Sequence, residues 1–583
     1  MIMALDTRKK AIYYLIFFLF LTVTISNALA QPPSAGSILS QERQQMTGRA
    51  IQKMRTSPPE EEAEKATATP AASETKVLVK NIEFTGHDPL ISLKELKKLA
   101  APYTGKESSL ADLQRLTQEI TRVLKEDKGF VLARAYLPEQ DVTEGIVKIE
   151  IVAGRLDGKV EISIQNPYRI NKRLLEKIAG NAMPDESAIR LKRLERATLL
   201  INNLPGMSSR AYLDKGKEPG TTRVTIDCAE GKLLSGMIYG DNFGNVSTGA
   251  FRRIGQLSVN DGFRSGDLLQ LTYINSDYLN QGVGLFSFPL GAYGAFVDLS
   301  CNMLQYELSG QLNPLDANGH AITSNASIRY PLILTRTGSL WLGGGFDYLF
   351  LDDRIGSVVY DGRNIYAGSA VLTGSLYDGI LGGGLSFFSV SLNDGSVDFT
   401  KGKLFDSAGP KTAGGYFRAT YLAARLQRVT QDVSLLFSMR GQVSSKNLDS
   451  SQKFILGGPS GVRAYPVGEA PGDQGDVLTL EARYDVPFMP DWMKTQIIGF
   501  FDAGYVNLHR FNWSNAVTTV SGRNDYWISG AGPGINIEKK GLYRAQFSYG
   551  FQIGKNPGAS TSGSNSDNLY NNGQFWWQGT IWF

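Results

Sequence analysis

The chain has 583 residues, and its 60 Lys+Arg against 56 Asp+Glu leave a formal net charge of only +4. That balance is not the charge of a dedicated nucleic-acid binder, 2 Cys cannot staple a chain of this length, and 3 His leave little room for a histidine-rich metal or catalytic centre. A mean hydropathy of −0.17 rules out a polytopic helical membrane protein, while 63 Gly with 7 Trp, 25 Tyr and 28 Phe suit a large β protein.

The N-terminus reads as a secretory signal peptide over residues 1–30. Arg8, Lys9 and Lys10 form a basic start, an apolar run extends from Ala11 to Ser26, and Ala28-Leu29-Ala30 is a small-x-small cleavage signal. Residues 31–55 predict a weak helix in which Ile38, Leu39, Met46, Ala50, Ile51 and Met54 form a broken apolar stripe that Gly48 interrupts. Residues 56–75, rich in Pro, Glu, Ala and Thr, lack apolar periodicity and read as a linker.

Residues 76–231 contain a repeat. Arg134-Ala135-Tyr136-Leu137 returns as Arg210-Ala211-Tyr212-Leu213, and the alternating Val147, Ile149, Ile151 return as Val224, Ile226, Cys228. A helix precedes each copy. The first carries Leu113, Leu116 and Ile120, with Ser109 and Asp112 placed to cap it; the second carries Leu191, Leu194 and Leu200 and closes at Pro205-Gly206. Opening strands, from Val79 to Phe84 and from Val160 to Ile164, complete two α+β modules, 76–153 and 154–231. Gly154 to Val160 has three residues between its glycines, not the four of a P-loop, and reads as the turn between modules.

Residues 232–583 show period-2 alternation with almost no helical pattern. Ala545, Phe547, Tyr549, Phe551 and Ile553 share one face and Arg544, Gln546, Ser548 and Gln552 the other; 433–443 and 477–486 behave alike. Turns are expected at Asn260-Asp261-Gly262, Asp361-Gly362 and Asn393-Asp394-Gly395. At about 22 residues per strand with its connection, this segment holds about 16 strands, within the size range of outer-membrane barrels. Trp577, Ile581 and Phe583 share one face of the terminal strand, and the aromatic end resembles the insertion signal that the barrel-assembly machinery reads. The fold expected is mainly β: a transmembrane antiparallel barrel over 232–583, preceded by two periplasmic α+β modules and a helix. Cys228 and Cys301 then fall in different domains, and two free thiols are expected.

This order of segments resembles the TpsB transporters of two-partner secretion, the ShlB/FhaC/HecB-like haemolysin secretion/activation proteins, within the superfamily of barrels with periplasmic POTRA domains. Pro33 to Leu39, followed by Gln and Arg, is similar to the family's plug helix. Tyr136 to Val142 is similar to its first POTRA domain, Leu194 to Gly206 to its second, and Asp241-Asn242-x-Gly244 to its first barrel hairpin. Two short motifs are more specific. Gly461-Val462-Arg463-Ala464-Tyr465, in a Gly/Pro-rich stretch near 457–475, matches a loop that folds back into the barrel. Phe500-x-Asp502-x-Gly504 matches the strand motif that this loop contacts. Alternation alone turns Asp502 to the lumen, because a lipid-facing carboxylate is costly; the resemblance pairs it with Arg463. Ala464 stands where many relatives have Gly, which puts the local backbone in question.

The resemblance implies an outer-membrane conduit without cofactor, metal or catalytic residue. Its expected partners are a large secreted exoprotein of adhesin or haemolysin type with an N-terminal secretion domain, the membrane lipids, and the barrel-assembly machinery during biogenesis; no nucleic acid is expected. The alternative is a barrel-assembly or translocation factor of the same superfamily, which usually carries more POTRA modules. No H-E-x-x-H motif and no G-x-S-x-G elbow supports an enzyme.

Overall fold

The structure, a computed structural model, describes residues 33–52, 76–87, 90–165, 168–184, 188–218, 220–309, 314, 316–490 and 492–583. The signal peptide, the linker and Met54 lie outside the described residues.

Sixteen antiparallel strands close into a barrel, in sequence order around the wall from Leu234–Asp241 to Gly573–Trp582. The seam pairs the first strand with the last, Met237 opposite Trp582 through Asp241 opposite Gln578. The Asn242 side chain extends this seam: it accepts from the Trp577 N–H at 2.9 Å and donates to the Phe575 carbonyl at 2.7 Å. A membrane needs roughly 9–11 residues per tilted strand. The first strand has 8 residues, whereas the sixth to ninth, Ala317–Leu334, Gly338–Ile355, Val358–Asp378 and Gly384–Lys401, have 18 to 21. The barrel is therefore much taller on that side.

That height explains two turns that the sequence suggests and the fold does not make. Asp361-Gly362 and Asn393-Asp394-Gly395 lie inside the eighth and ninth strands. Gly362 adjoins a register shift in the eighth strand, and Gly395 leaves room for the Tyr416 ring of the next strand, whose hydroxyl a Cβ would meet at 2.7 Å. Asn260-Asp261-Gly262 does lead into a turn, where Asp261 takes φ 55°.

Ahead of the barrel stand two α+β modules of one topology. In the first, Asn81–Thr85 runs parallel to Ile146–Val152, which pairs antiparallel with Arg134–Tyr136. In the second, Glu161–Ile164, Thr221–Glu230 and Met207–Lys215 repeat that order. The helices Leu110–Arg122 and Leu191–Asn202 bury their apolar faces on these sheets, the former opened by the Ser109–Asp112 capping box. The opening stretch from Val79 to Phe84 is not one strand: Lys76–Val79 pairs antiparallel with Lys106–Ser109, while Asn81–Thr85 joins the main sheet. The second module seats on the barrel rim. Its Leu200 and Leu204 share a core with Ala292, Phe296 and Leu334 of the barrel, and Arg196 donates to the Pro331 carbonyl at 3.1 Å.

The N-terminal helix spans Ala35–Gln52 and runs through Gly48 without a break. It lies inside the barrel, where tertiary contacts outweigh the weak propensity of its sequence. Cys228 and Cys301 are free.

Candidate functional site: the filled lumen and its inward loop

The connection between the eleventh strand, Val433–Ser444, and the twelfth, Gln474–Asp485, folds into the lumen. At its tip Val462, Ala464 and Tyr465 are fully buried. Arg463 makes a two-pronged ion pair with Asp502 of the thirteenth strand, Lys494–Asn507: Nε donates to Oδ2 at 2.8 Å and Nη2 to Oδ1 at 2.9 Å. The Arg463 backbone N–H adds a third bond to the same carboxylate at 3.1 Å, and the Thr479 hydroxyl donates to it at 2.9 Å. Phe500 of the same strand places its ring 3.5 Å beneath the guanidinium, a cation–π contact strengthened by desolvation. Fork geometry and stacking on a largely buried ring together suit arginine and not lysine at this point.

Two further partners escaped the motif. Glu481 accepts from Arg463 Nη1 at 2.9 Å and is itself held by Arg483 at 2.7 Å. Trp576, on the inner face of the last strand, donates its indole N–H to the Arg463 carbonyl at 2.7 Å. Alternation placed Glu481 and Arg483 on a polar face; nothing in the sequence linked them to a loop 18 residues upstream of Glu481.

Small residues make room for the loop. A Cβ at Gly461 would strike the Leu456 carbonyl, and one at Gly530 would strike the Ala464 methyl. At Gly550 it would come within 2.7 Å of the Ala464 nitrogen, and at Gly504 within 3.0 Å of a Val462 methyl. Ala464 itself has no positive φ, so its methyl needs no glycine conformation. The loop motif and the strand motif thus meet as one packed unit.

The N-terminal helix also occupies the lumen. Ala35, Ile38 and Leu39 are buried against Tyr239, Ile254 and Tyr306 of the wall. The rest of its buried face is polar among the described side chains: Ser40, Gln41, Glu42 and Gln45. Glu42 accepts from Arg252 at 2.5 Å, and Arg252 in turn grips Asp241 through Nε at 2.8 Å and Nη2 at 2.9 Å. All three are buried. Gln44 accepts from Arg440 at 3.1 Å, and Gln45 donates to the Phe243 carbonyl at 2.8 Å. Met46 and Ile51 belong to the helix backbone. Among the described side chains the apolar part of the buried face is Ala35, Ile38 and Leu39, and ionic and amide contacts follow it.

The wall beside this filling is polar. Asp485, Gln496, Asn536, Gln546, Gln578 and Asp241 stand opposite one another across neighbouring strands and form a belt. Hydrogen bonds of 2.7, 3.2, 3.1 and 3.4 Å join its members. On the outer face Ile581 and Phe583 are 59% exposed, and Trp577 stacks 4.9 Å from Phe251. These residues turn to lipid, whereas Trp576 turns inward.

A polar-lined barrel carrying a periplasmic domain and filled by a helix and an inward loop defines an outer-membrane transporter. The family profile of the haemolysin secretion/activation protein ShlB/FhaC/HecB matches residues 220–534, and that of the ShlB-type POTRA domain matches 77–154. The chain belongs to the ShlB/FhaC/HecB family of two-partner secretion transporters; it is not an enzyme. The heme/hemopexin transporter protein HuxB of Haemophilus influenzae (strain 86-028NP) is 27% identical over 454 residues, 77% of this chain and 79% of that protein. The outer membrane transporter CdiB of Dickeya dadantii (strain 3937) is 23% identical over 474 residues, 77% of this chain and 81% of that protein. The solved structure of CdiB from Escherichia coli has the same fold, with a TM-score of 0.73 at 19% identity over 95% of this chain and 100% of that one.

Proposed function

We propose that this transporter takes up a large partner exoprotein, of adhesin or haemolysin type, by its N-terminal secretion domain and passes it unfolded through the barrel to the cell surface. No nucleotide is needed in this reading; binding and folding outside supply the drive. The modules at 76–153 and 154–231 both act as POTRA domains, and their strand edges receive an extended client by β-augmentation. Main-chain pairing of that kind demands no particular side chains, which suits a long chain in transit. The segment 31–55, which contains the helix Ala35–Gln52, is the resting plug. Arg463 and Asp502 hold the inward loop in a transport-competent position. Trp577, Ile581 and Phe583 form the insertion signal that the assembly machinery reads.

The observation that carries this reading is the filled lumen: two separable segments occupy a polar-lined barrel, each held by ionic contacts. Secretion of the partner exoprotein tests the loop's part in it. Arg463→Ala and Asp502→Ala should each abolish most secretion at normal barrel levels, and exchanging the two charges should restore part of it. Normal secretion by both single variants would refute the role given to the pair.

A further inference from the structure

A second charge cluster, remote in sequence from the Arg463 motif, joins the helix and the loop to each other. Its centre is Arg363 of the eighth strand, 2% exposed. Nε donates to Asp449 Oδ2 at 2.5 Å, and Nη1 to Asp353 Oδ2 at 3.1 Å and Asp361 Oδ2 at 2.7 Å. Nη2 donates to the Ser450 hydroxyl at 3.1 Å. Asp449 and Ser450 form the root of the inward loop, where the other Asp449 oxygen caps a short 3-10 turn by accepting from the Ser451 N–H at 2.9 Å. Asp353 belongs to the seventh strand, and its other oxygen holds the N-terminal helix: it accepts from the Ala35 N–H at 2.7 Å and from the Tyr306 hydroxyl at 2.6 Å.

Helix and loop also touch directly. Ser34 and Ser450 share a hydrogen bond of 2.8 Å, and a Cβ on Gly36 would strike the Ser450 hydroxyl. The wall is shaped for the cluster as well. The register shifts between Asp353 and Arg354 and again between Gly362 and Arg363. These shifts border the cluster: Asp353 stands directly opposite Asp361, with Arg363 two residues on along the same face, and Asp353 is fully buried.

We propose that Arg363 is a positioning residue that couples departure of the plug helix to movement of the inward loop; the proposal rests on the plug reading above. Three carboxylates surround one guanidinium, so the cluster carries excess negative charge. The positive end of the helix and its first N–H offset part of that charge at Asp353. When the helix leaves, Asp353 loses a donor, and Asp353, Asp361 and Asp449 compete for Arg363. The grip on Asp449 weakens, and the root of the loop is freed. Linkage makes the effect reciprocal: a displaced loop weakens the seat of the helix by the same factor.

The test is a cycle on the full chain reconstituted in bilayers, with Cys228→Ser and Cys301→Ser to clear the native thiols. Spin labels at Ser460 in the loop and Gln431 on the opposite rim report loop position. Deleting residues 34–55 should shift the balance of seated and displaced loop by roughly 5-fold or more, the usual lower range of such couplings. In Arg363→Gln the loop should already be displaced, and the same deletion should add nothing. Asp449→Asn, which keeps an oxygen for the Ser451 N–H and leaves the wall intact, should behave like Arg363→Gln and covers the case that the latter fails to fold. A loop distance indifferent to the deletion, or equally sensitive in parent and variants, would overturn the coupling. Single-channel conductance of the same samples tests its basis separately: a deletion that leaves conductance unchanged would overturn the plug reading itself.

Discussion

At Asp502 a single position joins the barrel wall to the inward loop. Its carboxylate is completely buried and takes two side-chain bonds and one backbone bond from Arg463. Removing Arg463 leaves the buried Asp502 charge without its partner, a loss of about 3–5 kcal/mol, whereas removing Asp502 leaves Arg463 with Glu481 alone and costs less. That is enough to empty the seat of the loop while the barrel, held by its closed ladder, stays folded. Arg463→Lys should lose most of the effect of the pair too, because a point charge cannot reproduce the fork or stack on Phe500. At the same scale the two thiols differ. Burial, and then the neighbouring Asp227, push the Cys228 thiol up to about 11, so it is nearly all protonated at neutral pH. Cys301 is half-buried on the barrel wall, opposite Gly284. A membrane-permeant maleimide at pH 7.5 should therefore label the native protein at Cys301 and spare Cys228; mass spectrometry of tryptic peptides reads the outcome, and preferential labelling of Cys228 would contradict the core described for the second module.

Among the elements, the N-terminal helix carries the sharpest prediction. Its wall contacts at mid-length run through Glu42, Arg252 and Asp241. Glu42→Ala removes the helix's share of this pair while Arg252 stays on Asp241, and should raise the frequency of channel opening in planar bilayers by about tenfold or more, on the basis of roughly 1.5–3 kcal/mol for a hydrogen bond to a charged group. A recording indistinguishable from the parent would count against Glu42 as an anchor. The same helix marks where sequence reading ends. Ile38 and Leu39 were legible as apolar positions, and both are buried. The polar face was not, since Gln41, Glu42 and Gln45 look like a solvated surface until a lumen surrounds them. Strands were legible wherever lipid faces one side and water or the loop the other, as in 545–553. The interruptions expected at Asp361 and Asn393 failed because turn-forming residues there serve a bulge and a neighbouring tyrosine within strands longer than the membrane requires. The Arg463–Asp502 contact came from two resembling motifs joined to one alternation argument. The Arg363 cluster had no signal, because its members come from two strands and a loop root far apart in sequence, and only the barrel register sets Asp353 opposite Asp361 beneath the loop root.

For the whole molecule, the tall wall, the seated module and the filled lumen form one device. The second module shares its core with the barrel rim, so force or motion at the periplasmic face reaches the wall directly. The lumen is occupied by segments with ionic seats and lined by an amide and carboxylate belt. The central claim is that the partner exoprotein passes through this lumen. A photo-cross-linking residue at Asn536, on the belt, and another at the lipid-facing Ile497 put the claim to the test in secreting cells. Passage through the barrel predicts cross-links between Asn536 and the exoprotein and none from Ile497. Continued secretion with cross-links from Ile497 and none from Asn536 would contradict it.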